Sequence, residues 1–179
     1  ATASPNRSLR CERLVYALGI MHTNGTRACL HRPATIAGMT TAAPILPAFA
    51  DVLSAAARIA PHAHRTPVLR SQSLDDIAGC ALFFKCENLQ RVGAFKFRGA
   101  CNAIFSLDDA TAARGILTQS SGNHGAAVAL ASRLRGVSAT VVVPEGAPAV
   151  KLAAIAGYGA RIVRCAPTMA ARNTAAAAW

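Results

Sequence analysis

The sequence predicts an α/β protein with a parallel sheet, and three observations carry that prediction. From Gly115 onward, short apolar runs alternate with helix-like stretches in the order strand, helix, strand, helix, strand. Each helical stretch closes on a glycine, at Gly136 and Gly159, as left-handed C-terminal caps favour. The runs themselves are continuously apolar, as strands covered on both faces are. Such alternation means βαβ units joined by right-handed crossovers.

Taken in order, the first periodic segment is 49–59, where Phe49, Val52, Leu53, Ala56 and Ile59 recur at helical spacing ahead of Pro61. This amphipathic helix is expected to pack on the domain that holds a ligand. Val68 and Leu69 after Thr66-Pro67 read as a short extended piece, and 82–86 as a buried strand. A helix is expected over 97–105 with Lys96 at its N-terminal edge. Strand 115–118, the turn Ser120 to Gly125, helix 124–135, strand 140–143 stopped by Pro144, helix 149–158 and strand 161–165 follow. Thr168 to Trp179 begins a further helix and stops.

Composition bounds the function. The chain has 179 residues, 53% hydrophobic, with a mean hydropathy of +0.31, yet no apolar run approaches the roughly 20 residues of a membrane span. A formal charge of +11 raises nucleic acid as a partner, but from Met39 on the 14 basic residues are dispersed singly against 7 acidic ones, without a basic run or aromatic platforms. Neither a nucleic-acid nor a membrane partner is therefore expected. The six cysteines form no CxxC pair and no metal-ligand spacing with the histidines, which predicts reduced thiols, no metal site and a cytoplasmic protein. Ala1 to Gly38 is mildly basic and lacks periodicity. It reads as an unassigned, disordered extension, either upstream sequence from an over-extended gene reading or a targeting segment.

The chemistry concentrates in two stretches. Gly93 to Gly99 reads GAFKFRG and places Lys96, one of only three lysines against sixteen arginines, between Phe95 and Phe97. Apolar neighbours disfavour a charged ammonium and so favour a nucleophilic amine. Ser120 to Gly125 reads SSGNHG at a strand-to-helix junction, where backbone N–H groups converge and favour a carboxylate. Read alone, this turn is equally a plain N-cap made by Ser120 or Ser121. His124 either orients the loop or transfers protons. Tyr158 and the pairs Asp75-Asp76 and Asp108-Asp109 read as turn or surface residues.

Together these stretches carry a resemblance. TPVL at 66–69, LFFKCENLQRVGAFKFRGACNAI at 82–104, SSGNHG at 120–125 and VVVPEGAPAVKLAAIAGYGARIV at 141–163 resemble the first half of the serine/threonine dehydratases and serine racemases. These are fold type II pyridoxal-phosphate enzymes, like the β-subunit of tryptophan synthase. The resemblance implies that Lys96 links covalently to pyridoxal 5'-phosphate, that Phe95 lies against its ring and that Asn123 hydrogen-bonds its 3-hydroxyl. It also implies that Ser121, Gly122, Asn123 and His124 take the substrate carboxylate, with Ser121 as acid/base partner opposite the lysine in a racemase.

The implied activity is that of a dehydratase (ammonia-lyase) turning serine or threonine into a 2-oxo acid and ammonia, with serine racemisation or an inactive remnant as alternatives, and the full-length form is implied to be a homo-oligomer. The family's glycine-rich phosphate loop, its serine or cysteine beside the pyridine nitrogen and its carboxylate metal site have no counterpart in this sequence. The chain is accordingly expected to be truncated: 39–107 as the N-terminal part of the large cofactor domain and 108–179 as an incomplete small α/β domain.

Overall fold

The computed structural model describes residues 46–179 together with one strand, β1 (Arg13–Tyr16). The remainder of the 1–38 extension lies outside the described residues. In chain order there follow α1 (Phe49–Ile59), β2 (Val68–Leu69), α2 (Gln72–Ala78), β3 (Leu82–Lys85), two 3₁₀ turns (Glu87–Leu89 and Arg91–Gly93) and α3 (Lys96–Phe105). Then come α4 (Asp109–Ala113), β4 (Ile116–Gln119), α5 (Asn123–Arg135), β5 (Ala139–Pro144), α6 (Ala149–Gly157), β6 (Arg161–Cys165) and α7 (Met169–Ala177).

The strands form two sheets. In the second, β4, β5 and β6 lie side by side in that order and all parallel, with Thr118 opposite Val141 and Val141 opposite Ile162. The apolar run Val141–Val143 is fully buried at its centre, which is why it carries no alternation. In the first sheet β3 is central, parallel to β1 and antiparallel to β2. The β2–β3 pair is antiparallel, and one expectation is corrected here: β3 is half-buried along its whole length rather than buried. The connection over 70–81, which includes α2, returns the chain antiparallel between β2 and β3.

Helix α5 joins the two halves. Gly125 through Ser132 are all buried, because one side of the helix packs on α3 and the other on β5 and α6. Ala127, Val128, Leu130 and Ala131 meet Phe97, Ala100, Cys101 and Ile104 of α3, while Ala126 and Ala129 meet Val141, Val143 and Ile155. Alanines on both sides let the neighbours approach closely, and a helix covered all round needs no polar face. Arg135 locks the far end by donating to the carbonyls of Ile104 and Leu107, just past α3.

Helix α1 has the predicted bounds, its N-terminus closed by Asp51 accepting the Ala48 N–H at 2.7 Å. Its burial departs from expectation. Only Ile59 is buried; Phe49 is 74% exposed, and the helix touches α3 through its last turn, where Arg58 donates to Asn102.

Asp75 is a further correction. It is no surface residue but a buried carboxylate that accepts the Leu82 N–H at 2.7 Å and the Arg70 guanidinium at 2.6 Å, so it pins α2 to the start of β3. Asp108 caps α4 through the Thr111 N–H, and half-buried Tyr158 packs against both clusters of core residues. Four described cysteines, Cys80, Cys86, Cys101 and Cys165, are free thiols.

Candidate active site

The two stretches singled out in the sequence open two helices that pack against each other. Lys96 is the first residue of α3 and Asn123 the first of α5. Residues 95–98 each go a different way, since successive side chains on a helix diverge by about 100°. Phe97 is fully buried in the α3–α5 core. Lys96 is exposed, with its Nζ 5.1 Å from the centroid of the Phe95 ring, which is itself 41% exposed. The expectation that both phenylalanines flank the amine is therefore corrected: one does, and the other anchors the helix.

At the start of α5 the N-cap is Gly122, and no side chain caps the helix. Ser120 is tied into the turn, its N–H donating to Val142 at 3.1 Å and its hydroxyl accepting the Gly122 N–H at 3.2 Å. The alternative in which a serine caps the helix does not occur. Amides of the first turn are left without a side-chain acceptor, and the helix dipole adds positive potential there. The two glycines differ in role. A Cβ at Gly125 would lie 2.7 Å from the Ser120 carbonyl oxygen and 3.2 Å from Val141 Cγ1, so Gly125 lets the helix start close to the strand end. A Cβ at Gly122 would meet nothing within 4 Å, leaving open space above the turn.

His124 reports how near the helices lie. Partial desolvation, and after it the positive charge of Lys96, hold its imidazole pKa below the ordinary 6.5, favouring the neutral ring. Beside the turn lies a cleft of about 310 Å³ lined by Val92, Gly93, Gly122, Asn123, Lys151 and Tyr158 among others; Lys96 does not line it. Val92 is the one non-glycine residue among those described with a positive φ, 58°, a strained state for a β-branched side chain. No sequence signal marked it. Nor did one mark Arg98, Glu87 and Thr66, whose side chains meet behind the lysine. Among the described residues no group of three or more His, Cys, Asp or Glu is placed to hold a metal, and no helix is long and apolar enough to cross a membrane.

Residues 59–179 match the family model described as pyridoxal-phosphate dependent enzyme. The chain belongs to that family. Pyridoxal-phosphate enzymes of fold type II share its parallel-sheet α/β architecture. The chain is 53% identical over 124 residues to a serine racemase of Dictyostelium discoideum, covering 69% of this chain and 38% of that protein. It is 53% identical over 120 residues to the L-threo-3-hydroxyaspartate ammonia-lyase of Saccharomyces cerevisiae, covering 67% and 37%. A solved threonine deaminase from T.th. superposes with a TM-score of 0.67 at 42% identity, covering 74% of this chain and 41% of that one. The chain thus spans less than half the length of these pyridoxal-phosphate relatives.

The residues present fit the family's cofactor on chemical grounds. An exposed primary amine stands beside an exposed aromatic face, and the helix packed against it begins with uncapped amides and open space at Gly122. An amine can bond an aldehyde, an aromatic face can cover a planar ring, and free amides can take an anion.

Proposed function

We propose that this chain carries the lysine-bearing part of a cytoplasmic enzyme that expels the β-hydroxyl of serine or threonine as water, water then being taken up again as the resulting enamine is hydrolysed to a 2-oxo acid and ammonia. The observation that carries the reading is the packing of two helix N-termini, one beginning at Lys96 and the other at uncapped Asn123, closely enough for the lysine charge to act on His124. Pyridoxal phosphate, when bound, supplies an electron sink for the charge left at Cα. In this reading Lys96 holds the cofactor, and once freed its amine takes the Cα proton, with elimination of the β-hydroxyl as the default outcome. Phe95 and Asn123 would help to hold the cofactor, the first by apolar contact with its ring and the second by hydrogen bonding to it. Amides of Ser121, Asn123 and His124, joined by the Gly122 N–H once it leaves the Ser120 hydroxyl, would hold the substrate carboxylate and so orient the Cα–H bond toward Lys96. The full-length protein would divide near 107/108 into large and small domains and assemble as a homo-oligomer.

A second reading, serine racemisation, is favoured by the serine racemase among the relatives and by Ser121. Its hydroxyl makes no hydrogen bond within the turn, unlike that of Ser120, and is free to pass a proton. In a full-length protein Ser121→Ala would then suppress racemisation more than elimination.

Covalent trapping tests the shared core of both readings. Incubation with pyridoxal phosphate, borohydride reduction and peptide mapping should put the label on Lys96 in preference to Lys85 and Lys151. Equal labelling of the three lysines would overturn it.

A further inference from the structure

Behind Lys96, on the far side of the first turn of α3, lies a nearly closed polar network. Arg98 grips Glu87 at two points, Nε to Oε2 at 2.8 Å and Nη2 to Oε1 at 2.7 Å, and Nη2 also donates to the His64 carbonyl at 3.0 Å. Thr66 donates its hydroxyl to Glu87 Oε1 at 2.6 Å, and Lys85 Nζ donates to the Thr66 carbonyl at 2.6 Å. Gln90 completes the cage by exchanging two hydrogen bonds with the backbone of His64, at 2.9 and 2.8 Å. Thr66, Glu87 and Gln90 are all buried. Three separate stretches, 64–66, 85–90 and α3, are thereby joined at one point.

The need for such a joint is visible in the helix itself. No side chain caps the N-terminus of α3, and the turn before it holds the strained Val92. Residues 96 and 98 are two apart, so their side chains leave the helix about 200° from each other. Phe97 sinks into the core between them. Two anchors on different sides of one turn fix its rotation about the helix axis, and the third side chain is then aimed with no more than the Phe95 ring beside it. An Arg–carboxylate fork suits this task, since two parallel bonds define an orientation and a single bond does not.

We infer that Arg98 is a positioning residue for Lys96: its two-point pairing with Glu87 sets the rotation of the first turn of α3 and so the direction in which the amine leaves the helix. The inference rests on the reading of Lys96 as the cofactor-bearing lysine, but its test involves no cofactor.

The probe is the His124 imidazole, followed by NMR titration in the cofactor-free chain. Arg98→Gln should shift the His124 midpoint upward, in the same direction as Lys96→Met and by no more than that variant does. Arg98→Lys, which keeps the charge without the fork, should fall between wild type and Arg98→Gln. Glu87→Gln separates positioning from charge: loss of a negative charge by itself lowers a histidine pKa, whereas a misdirected Lys96 raises it, and a rise is expected. In a Lys96→Met background both Arg98→Gln and Glu87→Gln should lose their upward effect, because the lysine through which they act is gone. An unchanged midpoint in folded Arg98→Gln, a fall in Glu87→Gln, or an upward shift that persists without Lys96 would each overturn the inference. Should Arg98→Gln fail to fold, Glu87→Gln, which keeps the side-chain shape, carries the same decision.

Discussion

Lys96 and His124 stand at the N-terminal ends of two packed helices, and the ammonium of the first helps to hold the imidazole of the second in its neutral form. Burial is the larger cause and the lysine charge the second. Removing the lysine should therefore raise the His124 midpoint only part of the way to its ordinary value. Lys96→Met followed by NMR titration checks this, and no shift would mean that the two groups do not interact. The sign for stability follows. A histidine whose folded pKa is depressed contributes stability above the unfolded value near 6.5 that is lost as pH falls through the folded midpoint.

The two glycines of the turn should respond differently to the same methyl group. Gly125→Ala drives a Cβ into the Ser120 carbonyl, a backbone atom that cannot swing away, and should cost about 1–3 kcal/mol as overpacking does. Gly122→Ala meets open space at a negative φ and should change stability by less than about 0.5 kcal/mol. Urea melts of the two variants make the comparison. Equal destabilisation would show that the turn is not packed against β5 as described.

Acid should unfold this chain through two carboxylates. The Leu82 N–H and then the Arg70 guanidinium hold Asp75 below its usual range, and the Arg98 guanidinium does the same for Glu87. Their contribution is complete above the unfolded values near pH 4 and is lost as pH falls through the lower folded ones. The double variant Asp75→Asn, Glu87→Gln should be less stable at pH 7 and lose less between pH 5 and 3, read from urea midpoints. Glu87→Ala, which strands Arg98, should cost about 2–3 kcal/mol at pH 7, less than for a wholly buried pair because the Arg98 side chain is 33% exposed.

Residues close in sequence already determined much of this protein. The βαβ order from β4 to β6 was legible because glycines close the helices and continuous apolar runs mark strands buried on both faces, and Lys96 and Asn123 stood out through their immediate neighbours. The fate of those neighbours was not legible. Phe95 and Phe97 look equivalent in the chain, and only the rotation of α3 sends one to the site and the other to the core. Asp75 looks like half of a surface pair until β3 brings the Leu82 N–H to it. Strand β1 and the antiparallel turn of β2 against β3 depend on which edges lie free in space, which no local pattern encodes. Glu87 and Arg98 are 11 residues apart with a strained turn between them, and their pairing exists only once burial makes an unpaired charge too costly to leave. Local propensity and periodicity act within one element, whereas ion pairing, desolvation and register act between elements, and these tertiary forces decided how the lysine is aimed.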